Sequence, residues 1–382
     1  MDLASFGTNS PGRLVSIPGG HSAFVPHPLP PPMQFGGRVL LLSDRAMLSL
    51  GRLDGKAQTL PNPHMLIRVF QQQEALLSSR IEGTIADPQE LLLAEVSRGA
   101  PPSSGVREVR NYMDALDRGL RQLQELPVSL RLIRDAHRRL MRGVRGQEQR
   151  PGEFRDIQNY IGKPGGFSNA RFVPPPVAEM RECLDAFEKF LHSEDDLPAL
   201  VRLAFIHYQF EAIHPFRDGN GRIARLLLVI LLCDWKLLSH PLIYLSGYFD
   251  KHRDAYLDHL LAVSQRGAWE EWLRFFLQAV DEQAREAFER ATSLLALREQ
   301  YRERLQALRA SSAALRLVDA LFVRPILTVP VARGLLKMTY RGAQQVLLKL
   351  ERAKIITEWR RVSGGRPKAF FAEEIIRLTS AL

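Results

Sequence analysis

The sequence is poor in cysteine and has no long hydrophobic run. Its 382 residues include two cysteines, Cys183 and Cys233, too few for a disulfide framework or a cysteine-rich zinc site and compatible with a reducing compartment. The longest apolar run, Leu226–Cys233, is shorter than the roughly 20 residues that cross a bilayer. No apolar signal segment follows Met1. We therefore expect a cytoplasmic location and no membrane partner.

The composition is that of a globular protein with an excess of positive charge. Hydrophobic residues make up 45% and charged residues 25% of the chain, which excludes wholesale disorder. The length suits two or three domains of about 100–200 residues each. Lysine and arginine total 52 against 42 aspartate and glutamate, a net charge of +10. Anions such as nucleotides or nucleic acid are therefore expected partners.

Apolar residues recur at helical spacing over most of the chain, so the predicted fold class is mainly α. Residues 1–37 are dense in proline and glycine, and we interpret them as an arm that lies on the protein or stays loose. Helical spacing begins at Val39 and continues at Pro63–Leu77, Gln89–Ser97, Val106–Leu126, Ser129–Met141, Pro176–His192, Leu197–Ile213, Arg222–Leu238, Asp254–Gln265 and Trp269–Leu308. Gly99, Pro101 and Pro102 are predicted to stop the helix at Ser97.

Residues 152–176 interrupt the helical pattern. Apolar side chains there flank a Gly-Lys-Pro-Gly-Gly tip at Gly162–Gly166, which predicts a β-hairpin.

The last part of the chain predicts a winged helix-turn-helix domain. Three short helices are predicted at Ser311–Val323, Val329–Met338 and Arg341–Ala353, followed by strands at Ile355–Arg361 and Lys368–Glu373 around a turn at Ser363–Pro367. Three helices followed by a hairpin is the order of that motif. Residues 310–382 contain 13 lysines and arginines against 5 acidic residues, so most of the positive excess lies here.

Two interpretations of these charges stay open. Side chains of a recognition helix could enter a major groove, and Arg366 could reach a minor groove from the wing. Alternatively the module binds protein or dimerises, with its charges solvated. The recognition-helix residues of the first interpretation are Arg341, Lys349, Arg352 and Lys354.

The segment His214–Arg225 (HPFRDGNGRIAR) lies between two strongly apolar helical stretches. Gly219 and Gly221 allow a tight turn and a close approach to a ligand, and the backbone N–H groups that open the next helix favour an anion. Arg222 and Arg225 are three residues apart and would share one helix face. These features predict a pocket for phosphate groups.

Two further side chains of this segment suggest chemistry. Asp218 offers an oxygen ligand for Mg²⁺, which binds one or two carboxylates plus phosphate oxygens, and His214 can accept a proton near neutral pH. Taken singly, each is open to a structural interpretation, such as a packed histidine or an N-cap, and Phe216 we assign to packing. Together they predict a site for polyphosphate transfer.

The pattern H-P-F-x-D-G-N-G-R-x-x-R resembles the Fic family motif at every defining position. The resemblance extends from about Gly37 to Leu308. It implies a Fic-type helical bundle that transfers AMP from ATP to a Ser, Thr or Tyr hydroxyl of a target protein, or of the chain itself, and releases pyrophosphate. It implies His214 as general base and Asp218 as the Mg²⁺ ligand. Contacts with ATP are implied for Glu82, His214, Gly219, Asn220, Gly221, Arg222, Ile223, Ala224, Arg225 and Leu257.

Two details qualify this resemblance. The related Doc-type phosphotransferases have D-A-N-K-R where this chain has Gly219, Gly221 and Arg222, which favours AMP transfer. The family often has a Tyr-Tyr pair beside the nucleotide, whereas this chain has Tyr256 followed by Leu257. Leu257 would then pack on the purine.

The hairpin Asp156–Phe172 resembles the family's flap. An exposed strand edge can add a target segment as a further strand and so position its hydroxyl group. The alternative is a structural hairpin that only covers the core.

The segment Ser78–Gly83 (SSRIEG) fits the inhibitory motif [ST]-x-x-x-E-[GN] of the family. In the arrangement that the resemblance implies, the Glu82 carboxylate pairs bidentately with Arg225, which would otherwise hold the γ-phosphate. Ser78 and Glu82 would thus form a brake, because ATP could bind only in an unproductive pose. The alternative is that Glu82 and Gly83 simply end a helix.

The predicted organisation is an N-terminal arm (1–37), an N-terminal helical region with the inhibitory motif (38–105), a Fic catalytic core (106–308) and a winged helix-turn-helix domain (309–382). Two other functions stay open. The chain could remove AMP from a modified target, with Glu82 orienting a water molecule, or it could be a nucleotide-sensing transcription regulator that binds DNA. A homodimer is a further expected partner state.

Overall fold

The computed structural model describes residues 1–58, 64–96, 103–359 and 368–379, and it is mainly helical, which confirms the predicted fold class. The helices are α1 (Gly37–Gln58), α2 (His64–Ile81), α3 (Pro88–Val96), α4 (Ser104–Gln122), α5 (Leu130–Leu140), α6 (Val177–His192), α7 (Ala199–Ile213), α8 (Asn220–Asp234), α9 (Ser246–Lys251), α10 (Arg253–Arg266), α11 (Trp269–Ala307), α12 (Ser312–Val323), α13 (Val329–Leu336), α14 (Tyr340–Arg352) and α15 (Glu373–Thr379). Among the described residues, no helix is both long and apolar enough to cross a membrane.

Helices α7 and α8 form the centre of the core. Almost every side chain of α7 is buried, and α8 is buried from Asn220 to Leu232 except at Gly221. The long helix α11 packs against α7, and the Trp272 indole N–H donates a 3.0 Å hydrogen bond to the Ala204 carbonyl. Helix α8 ends at Asp234 rather than at the predicted Leu238, because Lys236 adopts a left-handed backbone conformation. The loop between α7 and α8 is thus anchored at both ends in rigid, buried helices.

Residues 1–37 contain a β-hairpin that the sequence analysis did not predict. Strands β1 (Gly12–Ile17) and β2 (His21–Pro26) pair antiparallel. Phe24 is fully buried, and its backbone N–H donates a 2.8 Å hydrogen bond to the Val173 carbonyl. Strand β2 therefore packs into the core through Phe24 and Val25. The proline cluster that suggested an arm begins only after this strand.

The predicted hairpin at 156–172 is mostly irregular. Only β3 (Ile161–Gly162) and β4 (Ala170–Phe172) pair, with a short 3₁₀ turn at Phe167–Asn169. The stretch before β3 is held instead by side chains, since the Asn159 amide donates to the Phe216 carbonyl at 3.1 Å. The strand pairing is thus much shorter than predicted, but the segment still lies beside the α7–α8 loop.

The C-terminal part has one small antiparallel sheet, ordered β5 (Ile326–Thr328), β7 (Ala369–Phe371), β6 (Thr357–Glu358). Strand β5 and helix α15 were not predicted, and neither was α9. The predicted turn at Ser363–Pro367 with Arg366 lies outside the described residues, as do Gly99, Pro101 and Pro102. Helix α12 packs against α2, and the Gln73 amide donates to the Thr379 carbonyl at 2.5 Å. The assignment as a winged helix stays a prediction.

Candidate active site

The loop between α7 and α8 is fixed by its own backbone and by Asn220. His214 caps α7 with φ 50°, and Gly219 begins α8 with φ 79°. The Asn220 side chain accepts from the Phe216 N–H and donates to the Phe216 carbonyl, both at 2.8 Å. Asn220 therefore closes the loop on itself, and its contact with a phosphate group stays a prediction.

Two buried residues that the sequence analysis missed hold this loop from below. His137 stacks on Phe216 with ring centroids 3.8 Å apart, accepts from the Gly152 N–H at Nδ1, and donates from Nε2 to the Asp218 carbonyl at 2.9 Å. Burial lowers the pKa of His137 to about 4, in keeping with its neutral form. Arg155 is 1% exposed and donates from Nε to the His214 carbonyl at 3.0 Å.

A cavity of about 160 Å³ opens beside the loop. It brings together residues from α2, the β3–β4 segment, α7, α8 and α10. The sequence-predicted residues that line it are Glu82, His214, Gly221, Arg225 and Leu257. Tyr256, the first position of the family's tyrosine pair, also lines it, as do Tyr208, Glu211 and Ser264, which the sequence analysis did not predict.

His214 is poised as a proton acceptor in the wall of this cavity. Burial lowers its pKa to about 4, and the nearby Arg155 charge adds to the effect, so the imidazole is neutral at pH 7. Its Nδ1 lies 3.4 Å from the Glu211 carbonyl. A proton on Nδ1 that donates to this carbonyl leaves Nε2 as the accepting nitrogen.

Arg225 is held by the last turn of α2. Its Nη2 donates to Glu82 Oε1 at 2.7 Å and to the Ser78 carbonyl at 2.9 Å, while its Nε donates to Ser78 Oγ at 2.9 Å. Burial tends to raise the pKa of Glu82, but the Arg225 charge outweighs it, so the pKa lies below its ordinary value. Glu82 accepts one hydrogen bond from Arg225, so the bidentate pair that we expected is not formed.

Gly221 allows the Glu82 carboxylate to come this close. A Cβ atom at position 221 would lie 2.2 Å from Glu82 Oε1 and 2.9 Å from Arg225 Nη1. Any larger residue would therefore collide with the carboxylate in this arrangement.

Arg222 lies away from the cavity in a buried ion pair. Its Nη1 is 3.1 Å from Glu108 Oε2, and both side chains are almost completely buried. Glu108 also accepts a 2.5 Å hydrogen bond from the Thr84 hydroxyl, just beyond the inhibitory motif. The side chains of Arg222 and Arg225 thus point to different partners, because Glu108 on α4 forms an ion pair with Arg222.

Several other residues with a predicted ATP contact make contacts within the protein. The side chains of Ile223 and Ala224 are buried in the hydrophobic core. The Gly219 N–H donates to Asp218 Oδ1 at 2.6 Å. Their contact with a nucleotide stays a prediction.

Asp218 fits a magnesium ion that arrives with a polyphosphate. Its side chain is 38% exposed, and its Oδ1 lies 3.7 Å from Arg222 Nη2. Among the described residues, no group of three or more His, Cys, Asp or Glu side chains could hold a metal ion. Mg²⁺ commonly uses one carboxylate together with phosphate oxygens and water, so Asp218 suits an ion shared with a bound triphosphate.

Comparison with known proteins finds family matches over the two regions that form this site, the α7–α8 loop and α2. The Fic/DOC family model matches residues 127–232, and the Fic/DOC family N-terminal model matches residues 40–121. Protein adenylyltransferase Fic of Drosophila persimilis is 37% identical over 112 residues, which are 29% of this chain and 20% of that protein. The protein of the same name from Drosophila grimshawi is 38% identical over 112 residues, 29% of this chain and 21% of that protein. The match thus spans about a fifth of these relatives' length.

Solved structures share the fold. A Fic family protein from Desulfovibrio desulfuricans G20 superposes with a TM-score of 0.57 at 18% identity, over 90% of this chain and 98% of that chain. Fic-1 from C. elegans superposes with a TM-score of 0.52 at 22% identity, over 68% of this chain and 74% of that chain. The likeness to the first therefore extends over nine tenths of this chain.

Proposed function

This chain belongs to the Fic/DOC family, and we propose that it is a protein adenylyltransferase that moves AMP from ATP to a Ser, Thr or Tyr hydroxyl. The observation that carries the proposal is the neutral His214 imidazole in the wall of a cavity that also contains Arg225. A base with a free nitrogen beside a buried guanidinium suits attack on a nucleoside triphosphate.

In the proposed reaction, the target hydroxyl oxygen forms a bond to the α-phosphorus of ATP as the bond from that phosphorus to the bridging oxygen breaks. The hydroxyl proton goes to Nε2 of His214. The β- and γ-phosphates leave together as pyrophosphate. Arg225 would bind the γ-phosphate once Glu82 releases it. Mg²⁺ at Asp218 would supply neutralisation of the phosphate charge.

We propose that Glu82 acts as a brake on this reaction. Its carboxylate occupies the wall of the cavity between Gly221 and Arg225, and it takes one of the Nη2 hydrogen bonds of Arg225. A γ-phosphate would need the same guanidinium, so the carboxylate and the phosphate compete for it. The negative charge of Glu82 also repels the triphosphate.

The test is intact-mass spectrometry of the full chain incubated with Mg²⁺ and each nucleoside triphosphate in turn. We expect Glu82→Gly to gain adducts of one AMP from ATP, and Glu82→Gly/His214→Ala to gain none. Glu125→Gly, which removes an exposed carboxylate outside the site, should behave like the wild type. A Glu82→Gly chain that stays unmodified, alone and with an added cell extract as target source, would contradict the proposal. Loss of the adduct after wild-type chain is added would assign removal of AMP instead.

Two proposed partner surfaces complete this function. The segment 156–172 borders the α7–α8 loop, which supports docking of a target segment beside His214. The C-terminal part exposes basic side chains on and after α14, which supports an anionic partner, and duplex DNA is tested below. These side chains are Arg341, Lys349, Arg352 and Lys354. The two free cysteines fit the proposed cytoplasmic location.

A further inference from the structure

The outer face of α1 carries an unusual amount of exposed apolar surface. The inner face packs on α11 through residues such as Leu50 and Leu53. On the outer face, Leu41 is 64% exposed and Leu48 is 57% exposed. Leu40 and Met47 flank them and are also exposed. Single exposed leucines are ordinary, but four large apolar side chains on one helix face indicate a contact surface.

The outward positions follow a seven-residue repeat. Residues 41, 44, 48, 51 and 55 of α1 are all exposed and alternate at spacings of three and four. This is the repeat that keeps one helix seam facing a partner helix. At Gly51 and Gly55, an added Cβ atom would meet nothing within 4 Å. We call these five positions the α1 seam. It is about 21 Å long, with large side chains toward its start and open space toward its end.

We propose that this seam is the contact of a homodimer, in which α1 of two copies pair antiparallel about a two-fold axis at Leu48. Such an axis places each residue of one copy beside the residue of the other copy that lies equally far on the other side of position 48. Leu48 then meets Leu48 of the other copy. Leu41 of each copy lies over the open surface at Gly55 of the other, seven residues from the axis in each case.

Charge complementarity selects the second copy as the occupant and fixes its direction. Asp44 and Arg52 lie four residues before and after Leu48, both are exposed, and neither has an ion-pair partner among the described residues. In the antiparallel pair, Asp44 of each copy lies beside Arg52 of the other, twice over. A parallel pair would place Asp44 beside Asp44 and Arg52 beside Arg52, which is repulsive.

The size of the seam sets the expected strength. One helix pair buries less than the roughly 800 Å² per partner of a standard stable interface. We therefore expect a dimer that dissociates on dilution, with a Kd on the order of micromolar.

The test is sedimentation velocity of the full chain over a dilution series from about 100 to about 1 μM. We expect a monomer–dimer equilibrium, and Leu48→Arg should raise the dimer Kd about tenfold or more. Leu335→Arg, at a comparably exposed leucine on α13, is the matched control and should leave the Kd unchanged. A chain that is monomeric throughout, or a dimer that Leu48→Arg does not weaken, overturns the proposal.

A charge exchange tests the direction of the pair. Asp44→Arg and Arg52→Asp should each weaken the dimer, because each places like charges together twice. The double variant Asp44→Arg/Arg52→Asp should restore the wild-type Kd, since the pairs return with reversed sign. Thermal melting of the four proteins checks that each is folded. Failure of the double variant to restore the dimer overturns the antiparallel arrangement.

Discussion

Arg225 donates two hydrogen bonds to Ser78, one from Nε to the hydroxyl and one from Nη2 to the carbonyl, both 2.9 Å long. Its third hydrogen bond in this region goes to Glu82, the residue just after α2. Arg225 is 2% exposed, and its guanidinium carries a full positive charge. Burial alone would lower the pKa of Arg225, but the nearby Glu82 carboxylate outweighs this effect and keeps the pKa above its ordinary value. In the proposed brake, Arg225 is therefore held both by the Glu82 carboxylate, just beyond the end of α2, and by Ser78, one turn earlier.

Replacing Ser78 by alanine should weaken the brake in part. The change removes the Nε–Oγ bond, and a hydrogen bond to a charged group contributes about 1.5–3 kcal/mol, so release of Arg225 becomes about tenfold or more easier. We expect Ser78→Ala to show more AMP transfer than the wild type and less than Glu82→Gly, measured by incorporation of labelled ATP.

Ser79→Ala is the matched control for this experiment. Ser79 is the next residue of α2, is 1% exposed, and its Oγ has no hydrogen-bond partner among the described residues. It should therefore leave transfer at the wild-type level. Equal stimulation by Ser78→Ala and Ser79→Ala would mean that packing of α2, rather than the Arg225 contact, sets the activity.

Glu108→Gln should destabilise the fold. It removes the charge that neutralises Arg222, and breaking one side of a buried ion pair typically costs about 3–5 kcal/mol. We expect the free energy of unfolding in urea to fall by about 3 kcal/mol. Glu271→Gln, which breaks the exposed pair with Arg266, should change it by less than about 1 kcal/mol. Equal effects of the two variants would show that the burial of Arg222 has no energetic consequence.

The parts of the candidate site that could be predicted from the sequence are those specified by neighbouring residues. Gly219 and Gly221 mark the turn, and the apolar stretches on either side predict buried helices. The resemblance of Ser78–Gly83 to the family's inhibitory motif implies a brake at the end of a helix. The contact between Glu82 and Arg225 was expected from the family resemblance, although its geometry differs. These features need only a short stretch of chain, or a motif, to specify them.

The contacts that fix the site from a distance could not be predicted. Glu108 captures Arg222 from 114 residues away, and His137 supports Asp218 from 81 residues away. Nothing in the local pattern of α4 or α5 distinguishes these residues from other polar positions on an amphipathic helix. Only the packing of α4 and α5 against α8 gives them their partners.

Raising the pH through neutrality should weaken ATP binding. Burial raises the pKa of Glu211 to about 7, against the opposing effect of Arg225. Glu211 lines the cavity, so its deprotonation above that pH adds a negative charge beside the triphosphate. We expect the Kd for ATP, measured by calorimetry on Glu82→Gly/His214→Ala, to rise several-fold from pH 6 to pH 8.

The control adds Glu211→Gln to the same background. Glutamine keeps the size of the side chain and cannot gain a charge, so the Kd should then be nearly constant over this range. Removing Glu82 also removes a charge that raises the pKa of Glu211, so the midpoint should fall below pH 7. A rise of equal size in both proteins would assign the pH dependence to another group.

Duplex DNA should bind to the exposed basic face of α14. We expect fluorescence anisotropy of a labelled mixed-sequence duplex to show binding at low salt, with affinity that falls linearly in a double-logarithmic plot against salt concentration as counterions are released. Arg341→Glu/Lys349→Glu should lower the affinity about tenfold or more. Arg121→Glu/Arg131→Glu removes two exposed arginines from the N-terminal half with the same change in net charge, and should have a much smaller effect. Equal losses in both variants would indicate nonspecific attraction to the whole chain, and no binding at low salt would leave the protein-binding interpretation of this module.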